Sequence, residues 1–169
     1  MKRPDWSKEI VNQFIDSFAE LSYDDISFRD YMQPSDVIFI SKKNRRIIRF
    51  CVRGIDFMDI LISKPRYLWS SISPDNHYRK YSFNTCDMLS HFPNNNLMQF
   101  INYKYYPSFE KMYEAFSQKK SYLEEEREDI FKKTVKEHIL FLKENLMPVI
   151  KGEMWIDELL KQKKICSKN

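Results

Sequence analysis

The chain has 169 residues, 43% of them hydrophobic and 15% aromatic, enough for one domain (1–169) with a sizeable core. Its net charge of +4 is too small to define a partner by itself. No apolar run approaches the roughly 20 residues of a membrane span, and MKRPDWSKEI lacks the apolar stretch of a secretory signal, so a cytoplasmic address is expected.

Trp6, Ile10, Phe14, Phe18 and Leu21 recur at three- and four-residue spacing and predict an N-terminal helix over 6–21, capped by Asp5 or Ser7. The acidic, aromatic stretch SYDDISFRDYMQPSD follows, and its Pro34, Ser and Asp residues predict a short helical turn plus loop. From Val37 the period changes to two. VIFIS, RRIIRFCVR and IDFMDILIS are rich in β-branched and aromatic residues and predict an antiparallel meander of three or more strands within a sheet region at 37–82. The polar KKN and the glycine of Arg53-Gly54 supply its turns. Ile48, Phe50 and Val52 would face the core with Met58, Ile60 and Ile62; Arg49, Arg53 and Asp59 would make the other sheet face charged and wet.

Residues 64–107 are punctuated by Pro65, Pro74, Pro93 and Pro107. RYLWSSIS and HYRKYSF fit further strands, and Asn84-Thr85 can cap a short helix that opens a helical region at 84–162. Phe109, Met112, Tyr113 and Phe116 make one helical stripe; Phe131, Val135, His138, Ile139 and Leu142 make a second. Pro148 disfavours a helical residue before it, so the second helix should end near 145–147. Gly152 then permits a sharp reversal. A last helix from Met154 to about Lys161 returns Trp155 and Leu159 to the core before a tail at 163–169. The fold class is therefore α+β, with the C-terminal helices packed on one face of the sheet.

Chemistry-bearing patterns are sparse. Cys51, Cys86 and Cys166 are odd in number with no close pair, which argues against a disulfide framework or a CxxC site. His77, His91 and His138 form no HxH or HExxH motif, and His138 fits a packed helix position. There is no GxSxG, and two glycines cannot build a phosphate-cradling loop. Glu124, Glu125, Glu126, Glu128 and Asp129 are interspersed with cations and read as a solvated helix face. No enzymatic activity, cofactor or metal is expected.

Charge is unevenly spread instead. Residues 1–36 carry 4 basic and 8 acidic side chains, net −4, whereas residues 37–82 carry 10 and 3, net +7. Patches of opposite sign steer charged partners. Aromatic and arginine anchors suited to an interface stand in polar stretches: Tyr67 and Trp69, then Tyr78, Arg79 and Tyr81, then Tyr103, Tyr105 and Tyr106.

The order of a helix, the meander DVIFISKKNRRIIRFCVRGIDFMDILIS and a closing FLKENLMPVIKGEMWIDELL resembles the small cytosolic immunity proteins of bacterial polymorphic-toxin and contact-dependent growth-inhibition systems. Several of those end on a helix, a break of the "ilkGd" sort and an aromatic residue, as Ile150-Lys151-Gly152-Glu153 and Trp155 stand here. The resemblance implies a binding protein without cofactors that occludes a cognate toxin domain. Many such proteins are acidic and this chain is mildly basic, which argues against simple mimicry of nucleic acid. The acidic-aromatic Tyr23, Asp24, Asp25, Asp30 and Tyr31 would meet a basic cleft. Alternatively the basic hairpin, with Tyr67, Trp69, Tyr78, Arg79 and Tyr81, would meet an acidic partner. The competing expectation is a nucleic-acid-binding regulator that tracks phosphates with Lys42, Lys43, Arg45, Arg46, Arg49 and Arg53.

Overall fold

The computed structural model of the chain describes residues 6–30, 35–52, 58–64, 82–92, 95–97 and 126–166. Helix α1 (Trp6–Ser17) leads into β1 (Asp25–Asp30), β2 (Ser35–Ser41), β3 (Arg46–Val52), β4 (Met58–Ser63) and β5 (Ser82–Asn84). Helices α2 (Thr85–His91), α3 (Arg127–Asn145), α4 (Met147–Ile150) and α5 (Ile156–Cys166) follow. The expected α+β organisation is present, and the strands lie in sequence order β1-β2-β3-β4-β5 with every neighbouring pair antiparallel.

One face of the sheet is the floor of the core. Val37, Phe39, Ile48, Phe50, Ile60 and Ile62 alternate onto it at period two, and α1 and α3 cover it. Phe14 of α1 lies tilted against Phe39, ring centroids 4.2 Å apart, and meets Phe50 edge-on at 5.3 Å. Trp6 stacks on Phe131 of α3 at 4.4 Å, so the two helices pack on each other as well as on the sheet. The predicted stripe of α3 is buried at Phe131, Val135, His138, Ile139 and Leu142.

Several boundaries and one face differ from the sequence expectation. Helix α1 stops at Ser17, four residues early, because the Leu21 N–H closes a tight turn onto the Phe18 carbonyl at 2.9 Å. That turn keeps Phe18 in the core and sets Tyr23 against Phe14 and Phe39. The stretch read as a helical turn plus loop contains β1 instead. Its alternation places Ile26 and Phe28 opposite Phe39 and Val37 of β2, and cross-strand pairing outweighs the turn-forming residues around it.

The sheet face expected to be wet is buried. Ile38, Ile47, Cys51 and Asp59 on that face are each 2–3% exposed. Consecutive apolar residues in VIFI and RIIRF serve both faces of the sheet, the pattern of strands covered on two sides. At the other end, α5 starts at Ile156 and runs to Cys166, through part of the stretch read as tail. The Arg53-Gly54 turn, the RYLWSSIS strand and the stripe at 109–116 lie outside the described residues.

Candidate functional site

The joint between the β2–β3 turn and the break that precedes α5 gathers more functional candidates than any other described region. Four residues, Lys42 to Arg45, connect the paired Ser41 and Arg46. The Arg45 N–H bonds the Lys42 carbonyl at 3.2 Å, and Arg45 itself sits at φ +53, a left-handed conformation that is uncommon for a residue with a Cβ. Two side chains fix the turn from its flanks: the Asn44 N–H donates to Ser41 Oγ at 3.2 Å, and the Lys42 N–H donates to Asp24 Oδ2 at 2.5 Å. Lys42, Lys43 and Arg45 are left exposed to solvent.

The break on the other side is a helix end of known type. Leu146 leaves helical geometry at φ −124, ψ +9 just ahead of Pro148, and α4 adds one more turn. That turn closes with Gly152 at φ +78: the Gly152 N–H bonds Val149 O at 3.1 Å and the Glu153 N–H bonds Pro148 O at 3.0 Å, the paired bonds of a Schellman motif. Helix α5 is then opened by Glu158, whose carboxylate accepts the Trp155 N–H at 2.7 Å, as in one half of a capping box.

Arg46 joins the two halves. Its Nε–H donates to Val149 O at 2.7 Å, Nη2 to Met154 O at 2.9 Å and Nη1 to Arg45 O at 2.9 Å. Its guanidinium lies 5.0 Å from the Trp155 ring centroid, and Lys64 Nζ lies 4.7 Å from the same ring. Arg46 is 7% exposed; burial lowers its proton affinity, Arg45 lowers it further and Glu158 opposes both. Gly152 packs directly beneath the turn, with no room for a side chain against the Asn44 backbone.

These positions revise the predicted basic set. Arg46 is a buried clamp and is not available to phosphates. Its place was legible, since Arg46 shares strand parity with the core residues Ile48, Phe50 and Val52. Arg49 is half-buried, and its Nε donates to Asp36 Oδ2 at 2.8 Å, with Nη2 on the same oxygen. Burial would lower its proton affinity, but Cys51, Asp36 and Asp59 outweigh that and raise it. Cross-strand register puts Asp36, Cys51 and Asp59 in one row on β2, β3 and β4, each about 3% exposed. Three cations of the original six, Lys42, Lys43 and Arg45, share one turn; Arg53 lies outside the described residues.

The acidic-aromatic set is dispersed. Tyr23 is packed on Phe14 and Phe39, and burial, with Glu20 adding, raises its hydroxyl well above the usual range. Asp24 holds the Lys42 N–H, Asp25 is exposed at the start of β1, and Asp30 ends that strand. Tyr31, Tyr67, Trp69, Tyr78, Arg79, Tyr81, Tyr103, Tyr105 and Tyr106 lie outside the described residues.

His138, the only histidine on α3, is fully buried and bonded at both nitrogens. The Met58 N–H donates to Nε2 at 3.4 Å, so the proton sits on Nδ1, which donates to Thr134 O at 2.8 Å. Desolvation pushes its pKa down to about 4. Among the described residues no three His, Cys, Asp or Glu side chains are grouped to hold a metal ion, and no helix is long and apolar enough to cross a membrane.

Comparison with protein-family models, with curated proteins and with solved structures finds no match to the chain.

Proposed function

We propose that this chain is an immunity-type binding protein that neutralises a cognate toxin domain by covering its active or substrate-docking site, with the β2–β3 turn as its leading contact. The observation that carries the reading is the clamped turn. Lys42, Lys43 and Arg45 project from a backbone held by Asp24, Ser41, Arg46 and Gly152, so little freedom is lost when a partner docks. An inhibitor gains affinity from such preorganisation, and a cationic tip fits an acidic surface on the partner. A tight complex needs an interface of about 1,600 Å², so the turn would serve as an anchor within a larger contact.

His138, which the sequence reads as a packed helix position, is buried and engaged at both nitrogens, which also favours a binding role. In the nucleic-acid reading, the exposed cations of the turn would follow phosphates. With Arg46 and Arg49 bound within the protein, that reading predicts about three phosphate contacts and a correspondingly shallow salt slope.

The test is co-expression with the C-terminal domain encoded by the adjacent upstream reading frame. Restored growth together with a stoichiometric complex is the expected result. No rescue and no complex, with retention on random-sequence duplex DNA instead, would replace this reading by the nucleic-acid one.

A further inference from the structure

Three connecting segments meet at one end of the molecule: the stretch that joins α1 to β1, the β2–β3 turn and the break before α5. Each is tied to another. Asp24 holds the Lys42 N–H at 2.5 Å, Arg46 reaches Val149 O and Met154 O, and Lys151 Nζ lies 3.6 Å from Glu20 Oε1. Gly152 completes the set by packing against the Asn44 backbone. The end face is therefore braced across all three segments, and it is broader than the β2–β3 turn alone.

Charge is banded across this face. Lys42, Lys43 and Arg45 stand exposed on the β2–β3 turn. Asp24 and Asp25 stand exposed beside it on the β1 side, and Glu153 on the α5 side. Three exposed cations are thus bordered by three exposed carboxylates, and the neighbouring Glu20–Lys151 pair adds no net charge. Among the described residues, neither Asp25 nor Glu153 has an ion pair or a side-chain hydrogen bond, so the fold does not use these two carboxylates. A nucleic-acid backbone carries one sign of charge along its whole length, and phosphates that approach the turn also meet the carboxylates beside it. A protein patch satisfies every band if its centre is acidic and its margin carries lysine or arginine.

We infer that the three segments form one docking face for a protein surface of mixed charge, acidic at its centre and basic at its margin, and that Asp25 and Glu153 set the selectivity of this face against polyanions. The inference deepens the toxin-binding reading and rests on it for the identity of the partner. It adds which kind of surface the partner presents and why nucleic acid is turned away.

Two measurements on the full chain test this. On a column of random-sequence duplex DNA the parent chain should elute at low salt, and the double variant Asp25→Asn, Glu153→Gln should elute at higher salt, because the same three cations then lack their bordering carboxylates. In calorimetric titration with the C-terminal domain encoded by the adjacent upstream reading frame, Asp25→Lys and Glu153→Lys should each weaken the complex by about 10-fold at low salt and by less at high salt. Thermal unfolding of both variants should match the parent chain, which separates a lost contact from a lost fold. Asp129→Lys, the same reversal at the far end of α3, should leave the affinity unchanged. A complex that tolerates both reversals, equal weakening by Asp129→Lys, or a double variant that DNA retains no better than the parent would each overturn the inference and leave the toxin-binding reading in place. Absence of any complex would overturn both.

Discussion

A Cβ on Gly152 would lie 3.1 Å from the carbonyl carbon of Asn44 and nearer still to its oxygen, so the break before α5 and the tip of the β2–β3 turn touch through backbone alone. Two penalties meet at this position. The φ of +78 costs a residue with a side chain about 1–2 kcal/mol, and forcing the turn aside adds about 1–3 kcal/mol. Gly152→Ala should therefore lower Tm by about 5–15 °C in thermal unfolding followed by circular dichroism. Gly152→Asn separates the two terms, because asparagine tolerates the left-handed region but still carries the Cβ. Recovery of most of the stability in Gly152→Asn would show that the close approach to Asn44 matters little.

Arg46 should be replaceable by no other cation. Its fork reaches Val149 O and Met154 O together, which a lysine ammonium on a single flexible stem cannot do with the same geometry. Arg46→Lys is expected to cost about 2 kcal/mol and Arg46→Met about 3 kcal/mol or more, since both leave buried carbonyls short of a donor. Denaturant titration gives the numbers. Equal stability of Arg46→Lys and the parent chain would mean that charge over Trp155, and not the bidentate clamp, is what holds the joint.

Much of this joint is legible in the sequence. Pro148 marks the end of α3, Gly152 the reversal and Trp155 the return to the core, because proline and glycine act through the backbone and so declare themselves locally. The charge of Arg46 points to solvent, but its period-two parity with Ile48 and Phe50 points inward, and the parity decides. β1 is hidden in the sequence for a different reason: Asp24, Asp25, Ser27 and Asp30 favour turns locally, and only pairing with β2 stabilises the extended form. Burial of both sheet faces cannot be read from alternation alone, and the Asp36–Arg49 pair depends on a register that the turn between the strands decides.

Arg45 carries backbone strain at an exposed position, and Arg45→Asn should relieve it. Asparagine populates the left-handed region more readily, so a gain of about 0.5–1 kcal/mol, or roughly 1–4 °C in Tm, is expected. The same change removes one of the turn's three exposed cations and should weaken binding to the partner domain, more at low salt than at high salt. A variant that is more stable and binds unchanged would remove Arg45 from the contact.

The Asp36–Arg49 pair should behave asymmetrically. Asp36 is 3% exposed, so Arg49→Met strands a buried carboxylate and should cost about 2–3 kcal/mol, less than for a fully buried pair because Arg49 retains some solvent. Adding Asp36→Asn to Arg49→Met removes the stranded charge and should recover part of the loss. A double-mutant cycle measures this coupling, and strictly additive costs would mean that the two side chains act independently.

His138 predicts a specific weakness in mild acid. With a folded-state pKa of about 4 against an ordinary value of 6.5, the unfolded chain takes up a proton that the folded chain refuses. Above pH 6.5 both states are neutral and the group contributes no pH dependence. As pH falls from 6.5 to 4 the unfolded state is progressively favoured, by about 1.4 kcal/mol per unit and about 3 kcal/mol in all; below 4 the effect levels off. Carboxylates titrate in the lower part of this window, so the informative quantity is the difference between the parent chain and His138→Gln. Glutamine can accept the Met58 N–H without ionising, and its stability should fall less steeply between pH 6.5 and 5, where carboxylates contribute least. Parallel stability curves for the two proteins across that range would mean that the imidazole protonates in place, with water or a neighbouring group reaching it inside the fold.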